Sequence, residues 1–308
     1  MSNPRISLII PIYNEEALIE PLLDRSIQVL NSMTDDFEII AVDDGSTDNS
    51  QRTLREWHDK DNRMKVLVLS RNFGHQAAYT AGLHYAKGDT IAMMDGDLQD
   101  PPELLKDMYD RLITTDCDIV SAKRIERQEK FIRRLLAKSF HFVFARLSAM
   151  QRLVDVGNFS LFNRKALSAM LSFREKNRYL PGLRSLIGFN HEYVEYSRQD
   201  RPTGRSRMTV RMLFRLAFDA FFSFSDLPIK ACLWTGLLGI ALFLFATLYI
   251  LISKAAGLAP LGWSSTLLSI YFLASVQLLF LGIIGEYISR IYRETQNRPI
   301  FIVQEYID

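Results

Sequence analysis

Residues 93–103, MMDGDLQDPPE, crowd Asp95, Asp97, Asp100 and Glu103 into one short stretch behind an apolar run. Like charges this close repel, and a cation among them removes the conflict. Asp95 and Asp97 flank Gly96, so one tight turn can aim both carboxylates at a common point. Their oxygens, with the amide oxygen of Gln99, suit a hard cation such as Mg2+ or Mn2+ that also holds a substrate's phosphates. The glycine and distal glutamate of a calcium loop do not fall at the required positions, so an EF-hand is excluded. A second acidic pair, Asp43 and Asp44, could accept hydrogen bonds from a base or ribose, or cap the helix that starts near Asp48. Neither a Gly-x-Gly-x-x-Gly fingerprint nor a Walker loop accompanies it, which leaves dinucleotide binding and P-loop hydrolysis without their main support.

The elements that position these acids can be read from periodicity. Short β-rich runs occur at 5–12, 37–42, 64–70, 90–94 and 118–122, with helical patterns between them, such as Leu18, Leu22, Leu23, Ile27 and Leu30 on one face. Thr47 or Asp48 suits a cap for the second helix, and Pro101 and Pro102 suit the first turn of the fourth. Wholly apolar strands alternating with helices predict a mainly parallel sheet covered on both faces. In such sheets ligands bind beyond the carboxyl ends of the strands. YNEE (13–16), DDGS (43–46), RNFGH (71–75) and DGDLQD (95–100) each follow a strand, so all four should converge on one rim. Beyond them, 130–150 reads as an amphipathic helix with a basic face, 191–198 as a strand and 199–208 as a polar loop. Residues 209–228 alternate cations with large apolar side chains, as an interfacial helix does.

The chain has 308 residues and a formal charge of +2, so bulk charge does not point to nucleic acid. Mean hydropathy is near zero although 23% of residues are charged, because the apolar residues are segregated. Two runs, 229–253 and 264–289, each exceed the roughly 20 residues needed to cross a hydrocarbon core. Basic flanks, with Arg205, Arg207, Arg211, Arg215 and Lys230 before and Arg290, Arg293 and Arg298 after, place both termini and the large domain in the cytoplasm. The first residues lack the pattern of a signal peptide. Cys117 and Cys232 are isolated, so neither a disulfide nor a cysteine metal site is expected. The expected divisions are 1–208, a catalytic domain; 209–228, an interfacial helix; 229–289, a transmembrane hairpin; and 290–308, a cytoplasmic tail.

PIYNEE, VDDGSTD, RNFGHQAAYTAGLHYAKGD, DGDLQDPPE and GEYISRIYRETQNRPIF together resemble the family 2 glycosyltransferases that load sugars onto polyprenyl phosphates. The likeness is nearest to bacterial bactoprenol glucosyltransferases, with dolichol-phosphate mannose synthases more distant. It implies a Rossmann-like GT-A domain, a UDP-sugar donor, a polyprenyl phosphate acceptor in the lipid bilayer of the bacterial plasma membrane, and a tetramer. Matched motif by motif, Pro11, Tyr13, Glu15 and Asp43 would contact the nucleotide, and Asp95, Asp97 and Gln99 would surround Mg2+ or Mn2+. Arg124, Arg134 and Ser139 resemble positions that grip the lipid phosphate. RPTGRSRM resembles a loop over the donor diphosphate, with Arg201, Ser206 and Arg207 as contacts; this chain has Arg207 where the family often has lysine.

One departure stands out. Close relatives often read GDFRL where this chain has GNFSL (157–161), so an acid is replaced by Asn158 and a cation by Ser160. An acceptor phosphate monoester, with a second pKa near 6, is already largely anionic at neutral pH and needs aiming more than deprotonation. Asp155 lies nearby in sequence and could assist. The resemblance and this chemistry predict single displacement with inversion. A processive polysaccharide synthase is disfavoured by the missing QxxRW motif and the small number of spans, and a mainly membrane flippase subunit would not need four rim clusters. A non-catalytic nucleotide sensor stays open, as do other donor sugars. The tail, 293–308, presents Ile300, Phe301, Ile302 and Val303 after Pro299. This strip should pair with a neighbouring subunit, as the resemblance suggests, or pack on its own catalytic domain.

Overall fold

A computed structural model of the chain describes residues 5–124, 156–176, 178–197, 227–256 and 262–308. They fall into two compact units, one built on a sheet that includes the chain from Arg298 onward, the other on two long helices.

The first unit is an α/β fold with a mostly parallel sheet. Its strands are β1 (Ile6–Ile12), β2 (Phe37–Asp43), β3 (Met64–Leu69), β4 (Thr90–Met93), β5 (Ile119–Arg124), β6 (Val156–Asn163), β7 (His191–Tyr196) and β8 (Val303–Ile307), in the order β7-β5-β6-β4-β1-β2-β3-β8. β1 pairs in parallel with β2 and β4, β2 with β3, and β5 with β7. β6 lies antiparallel between β4 and β5, and β8 antiparallel along β3.

Both faces are covered because the strands are apolar on both sides. Ile6, Leu8, Ile10 and Ile12 point to one face, where they meet α1 (Glu16–Met33), α2 (Ser50–Lys60) and α4 (Leu104–Thr114). Ile9 points to the other, against α3 (His75–Tyr85), α5 (Arg164–Ser172) and α6 (Leu180–Leu186). This is the two-residue period of a strand, each face closed by its own helices. Alternate residues of β1 also bond to alternate neighbours: Met94 donates to the Ile9 carbonyl and Asp44 to that of Ile12. Pro11 therefore faces the β4 side, one step past that strand's last paired residue, where its missing N–H has no ladder bond to make.

Strands one to five and the seventh lie within a few residues of the expected runs, while β6, inserted between β4 and β5, matches none of them. The tail also needs correction. Of its two expected partners, the tail takes its own catalytic domain rather than a neighbouring subunit: the second long helix continues to Thr295, past the expected start at 290, and the last residues form β8 on the chain's own sheet. Phe301, Val303 and Tyr306 pack on the core, Arg55 pairs with Glu305, and Lys65 and Lys87 each lie 2.7 Å from the Asp308 carboxylate. The apolar strip is thus partly covered within one chain, with Ile302 left exposed.

The second unit holds α7 (Leu227–Ala255) and α8 (Trp263–Thr295). A Cβ on Gly236 would lie 4.0 Å from the Phe280 ring, so a small residue sits where the two helices meet. Trp234, Leu238, Phe245, Phe272, Leu278 and Leu281 are all exposed. Among the described residues Phe272–Thr295 is the one stretch long and apolar enough to cross a membrane, and Trp234–Ala246 is a shorter apolar one. A two-span hairpin therefore rests on the sequence for its first member. α8 outlasts the expected 289 because Glu286 and Arg290 pair at 2.9 Å one turn apart and carry the helix beyond its apolar part.

Candidate active site

The four polar clusters at the strand ends touch one another in series. From the loop after β1, Asn14 N donates to Ser46 Oγ at 3.0 Å, and Thr47 N donates back to Asn14 Oδ1 at 2.7 Å. From the loop after β2, Asp44 accepts from Phe73 N at 2.7 Å and Gly74 N at 2.9 Å, both in the loop after β3. At the start of α3, His75 Nε2 lies 3.2 Å from Asp95 Oδ1 in the loop after β4. The predicted convergence on one rim is observed.

Two glycines allow the approach. Gly45 has φ +69°, and a Cβ there would lie 2.5 Å from the Arg71 carbonyl carbon. A Cβ on Gly96 would fall 2.8 Å from the Pro11 carbonyl oxygen, so the Asp95–Asp97 turn can nest against the end of β1 only with glycine between the acids.

The acidic pairs have different surroundings. Asp43 is buried and accepts from Ser46 N at 3.1 Å; burial raises its carboxyl pKa despite that bond. Asp44 is raised by burial too, and both its oxygens are engaged by the β3 loop, so it is a brace rather than a cap. The N-cap of α2 is Asn49, not Thr47 or Asp48, and it makes no side-chain cap bond; Asp48 nevertheless accepts from Ser50 N at 3.0 Å. Asp95 accepts from the Tyr79 hydroxyl at 2.7 Å, and Asp97 Oδ1 accepts from Gln99 N at 3.1 Å. His75 loses basicity by burial, but the bond to Asp95 and the charges of Asp95, Asp97 and Asp44 outweigh this and raise its pKa.

On the far side, Arg124 ends β5 and its Nε donates to Tyr196 Oη at 3.3 Å. Tyr196 in turn donates to the fully buried Asp100 at 2.5 Å. Asn158 on β6 accepts from Gln76 Nε2 at 3.2 Å and lies 3.4 Å from His75 Nδ1. Pro11 is buried, Glu15 partly buried and Tyr13 exposed at the end of β1.

Of the residues expected at the site, Pro11, Tyr13, Glu15, Asp43, Asp95, Asp97, Gln99, Arg124 and Asn158 belong to this rim or its supports. Arg134, Ser139, Asp155, Arg201, Ser206, Arg207 and positions 209–226 of the expected interfacial helix lie outside the described residues; its last two, Leu227 and Pro228, open α7 instead. Among the described residues no group of three or more His, Cys, Asp or Glu side chains could by itself hold a metal. The residues that would hold a cation are instead two carboxylates, Asp95 and Asp97, and the Gln99 amide. A carboxylate has about four acceptor positions, and Tyr79 and His75 address one oxygen of Asp95. That set fits a hard cation whose remaining ligands come from a diphosphate.

His75, Tyr79, Gln76, Tyr196 and Arg184 join the site without having been among its expected residues. His75 and Tyr79 stand four residues apart on α3, with ring centroids at 4.9 Å. An i, i+4 pair of polar aromatics directly after a strand-end loop was the available signal. Arg184 and Tyr196 gave no local signal, because their partners are remote in sequence.

This arrangement has known counterparts. Glycosyl transferase family 2 matches residues 7–171, more than half of the chain. A glycosyltransferase of Bacillus subtilis strain 168, YkcC, is 36% identical over 303 residues, covering 97% of this chain and 93% of its own length. A prophage-derived bactoprenol glucosyl transferase of Shigella flexneri is 32% identical over 304 residues, covering 98% of each. Among solved structures, a Pyrobaculum calidifontis mannosyltransferase in complex with GDP-mannose and Mn2+ aligns with a TM-score of 0.52 at 18% identity, covering 95% of this chain and 88% of that one. That likeness identifies the first unit as GT-A-like. Fold, rim and full-length relatives agree that the chain belongs to glycosyl transferase family 2 and is a glycosyltransferase.

Proposed function

We propose that the protein transfers a sugar, glucose first among the choices, from a UDP-sugar to a polyprenyl phosphate such as undecaprenyl phosphate at the cytoplasmic face of the bacterial plasma membrane. The observation that carries this reading is the linked rim: polar loops from four strand ends held in contact one after another, the last link reaching Asp95. The full-length similarity to bactoprenol glucosyl transferases, α7 and α8 included, supports the acceptor class.

In this reading Tyr13 presents an exposed ring to the base, while Pro11, Glu15 and Asp43 shape the nucleotide pocket. Asp95 and Asp97, with Gln99, hold Mg2+ or Mn2+ against the donor diphosphate. Such a cation, when bound, neutralises charge that builds on the departing nucleoside diphosphate. Arg201, Ser206 and Arg207 close over that diphosphate. Arg124, Arg134 and Ser139 hold the acceptor phosphate in line with the anomeric carbon. A phosphate oxygen forms the new bond to that carbon as its bond to the UDP oxygen breaks, with inversion. The acceptor enters as an anion, so Asn158 and Asp155 aim and polarise rather than remove a proton.

The apolar helices α7 and α8 form a two-span hairpin, with catalytic domain and both termini on the cytoplasmic side, where a polyprenyl phosphate headgroup lies. A tetramer belongs to the same reading. The replacement of an acid and a cation by Asn158 and Ser160 favours a second version of the reading: the same transfer with another donor, such as UDP-GlcNAc, a UDP-aminoarabinose-type sugar or GDP-mannose.

The test is a panel of radiolabelled nucleotide sugars, incubated with the detergent-solubilised full chain, undecaprenyl phosphate and Mn2+ or Mg2+. The expected result is label in the lipid fraction with matching release of UDP. Transfer from another donor alone selects the second version, and no lipid label from any donor overturns the reading.

A further inference from the structure

We infer that Arg184 is a positioning residue of the transfer site, a buried guanidinium that fixes the Gly157–Ser160 segment of β6 and so aims Asn158 and Arg124. The inference rests on the transfer reaction proposed above.

Arg184, on α6, is 1% exposed and among the largest fully buried side chains. One terminal nitrogen donates to the Asn158 carbonyl at 2.9 Å and also meets Ser160 Oγ; the other donates to the Gly157 carbonyl. Ser160 Oγ itself donates to the Asn158 carbonyl at 2.8 Å. These acceptors are all neutral. Burial lowers the guanidinium pKa to about 10, so the charge persists at neutral pH. A buried charge met only by carbonyls and a hydroxyl is costly. Leucine or methionine would fill the same volume without that cost. The planar fork, unlike an apolar side chain, fixes two successive carbonyls at once.

What those carbonyls position is the rim. The Asn158 carboxamide bonds to Gln76 and approaches His75, which reaches Asp95. Gly157 is the contact point for Arg124, since a Cβ there would lie 2.9 Å from an Arg124 terminal nitrogen. Gly157 therefore meets two guanidiniums: its carbonyl accepts from buried Arg184, and its open Cβ position faces Arg124. The same segment carries Asn158 and Ser160 in place of an acid and a cation. Gln76 Oε1 also accepts from Leu180 N at 3.0 Å, tying the start of α6 to α3.

The experiment compares the detergent-solubilised full chain with Arg184→Lys, Asn158→Ala and the double variant. Active protein is counted by nucleotide binding. Arg184→Lys keeps the charge but not the fork. Amide exchange of residues 157–160 should accelerate on the order of tenfold in that variant, with β1 and β2 unchanged. Turnover should fall about 10- to 100-fold with donor KM altered less than roughly threefold. If Arg184 acts through Asn158, the double variant is no slower than the slower single one. Multiplicative losses, or unchanged exchange at 157–160, would overturn the inference. If the wild type transfers no sugar at all, the transferase reading falls, and the exchange result still decides whether Arg184 holds β6.

Discussion

Tyr79, closed off from solvent, donates its hydroxyl to Asp95 Oδ1 at 2.7 Å. Burial, with Asp95 beside it, pushes the phenol well above its ordinary range, so it stays a donor at any working pH. A carboxylate gripped through one oxygen has its plane and direction fixed, as a cation-holding aspartate would require. Tyr79→Phe keeps the ring and removes that bond. The apparent KM for Mn2+ should rise about 10- to 100-fold with the fold intact. Initial rates across a Mn2+ titration check this, and an unchanged KM would mean that the bond is only structural.

Asp97 has a plainer prediction. Asp97→Ala should abolish turnover while leaving the folded protein, because the residue lies in a partly buried loop rather than in the core. Excess EDTA should stop the wild type likewise. Near-normal activity of the variant in Mn2+ would sink the assignment, and an undiminished rate in EDTA would point to metal-free transfer.

Arg124 is held by Tyr196, itself anchored on Asp100, so its guanidinium is aimed before any substrate arrives. Arg124→Ala should raise KM for polyprenyl phosphate by more than it raises KM for the donor, since charge-assisted bonds to a dianion are lost. Kinetics with each substrate varied in turn read the split. A rise in donor KM alone would move Arg124 to the diphosphate.

The acids after the strands were legible because apolar strand runs and strand-end clusters are local patterns. Ile6–Ile12 and Phe37–Asp43 announce themselves by composition, and their loops follow. β6 was not legible as a strand. Its buried Ser160 makes VGNFSLFN look half polar, and that serine is satisfied by Arg184 and the Asn158 carbonyl, one partner remote and one a matter of conformation. The Gly157–Arg124 contact was hidden for the same reason. The tail was seen to need a partner, but which edge it would take depends on β3 lying at the end of the sheet, a fact of topology.

Asp43 links function to pH. Burial raises its folded pKa above the ordinary 3.8. The folded state therefore holds the proton to higher pH than the unfolded chain does. Its cost to stability is absent below the ordinary value and grows as pH rises from there through the folded pKa. Asp43→Asn keeps an oxygen for Ser46 N and removes the charge. The apparent melting midpoint at pH 7 should rise by roughly 2–4 °C, and the gain should vanish near pH 3.5, while UDP affinity weakens. A lower midpoint at pH 7 would show that the buried carboxylate is net stabilising.

β8 supplies the last test. It covers the β3 edge with antiparallel pairs from Val66–Ile307 to Leu69–Val303, and Phe301, Val303 and Tyr306 seal the core below. Removing residues 298–308 would bare that edge, together with Lys65, Lys87 and Arg55, each of which loses a carboxylate partner. An uncovered apolar edge strand is a template for pairing with other chains. The truncated protein should therefore melt several degrees lower, about 2–4 °C for each kcal/mol lost, and should run as larger, heterogeneous species in size-exclusion chromatography. Loss of a defined tetramer to monodisperse monomers, with an unchanged midpoint, would instead show that the tail serves subunit contacts and that its place on β3 contributes little.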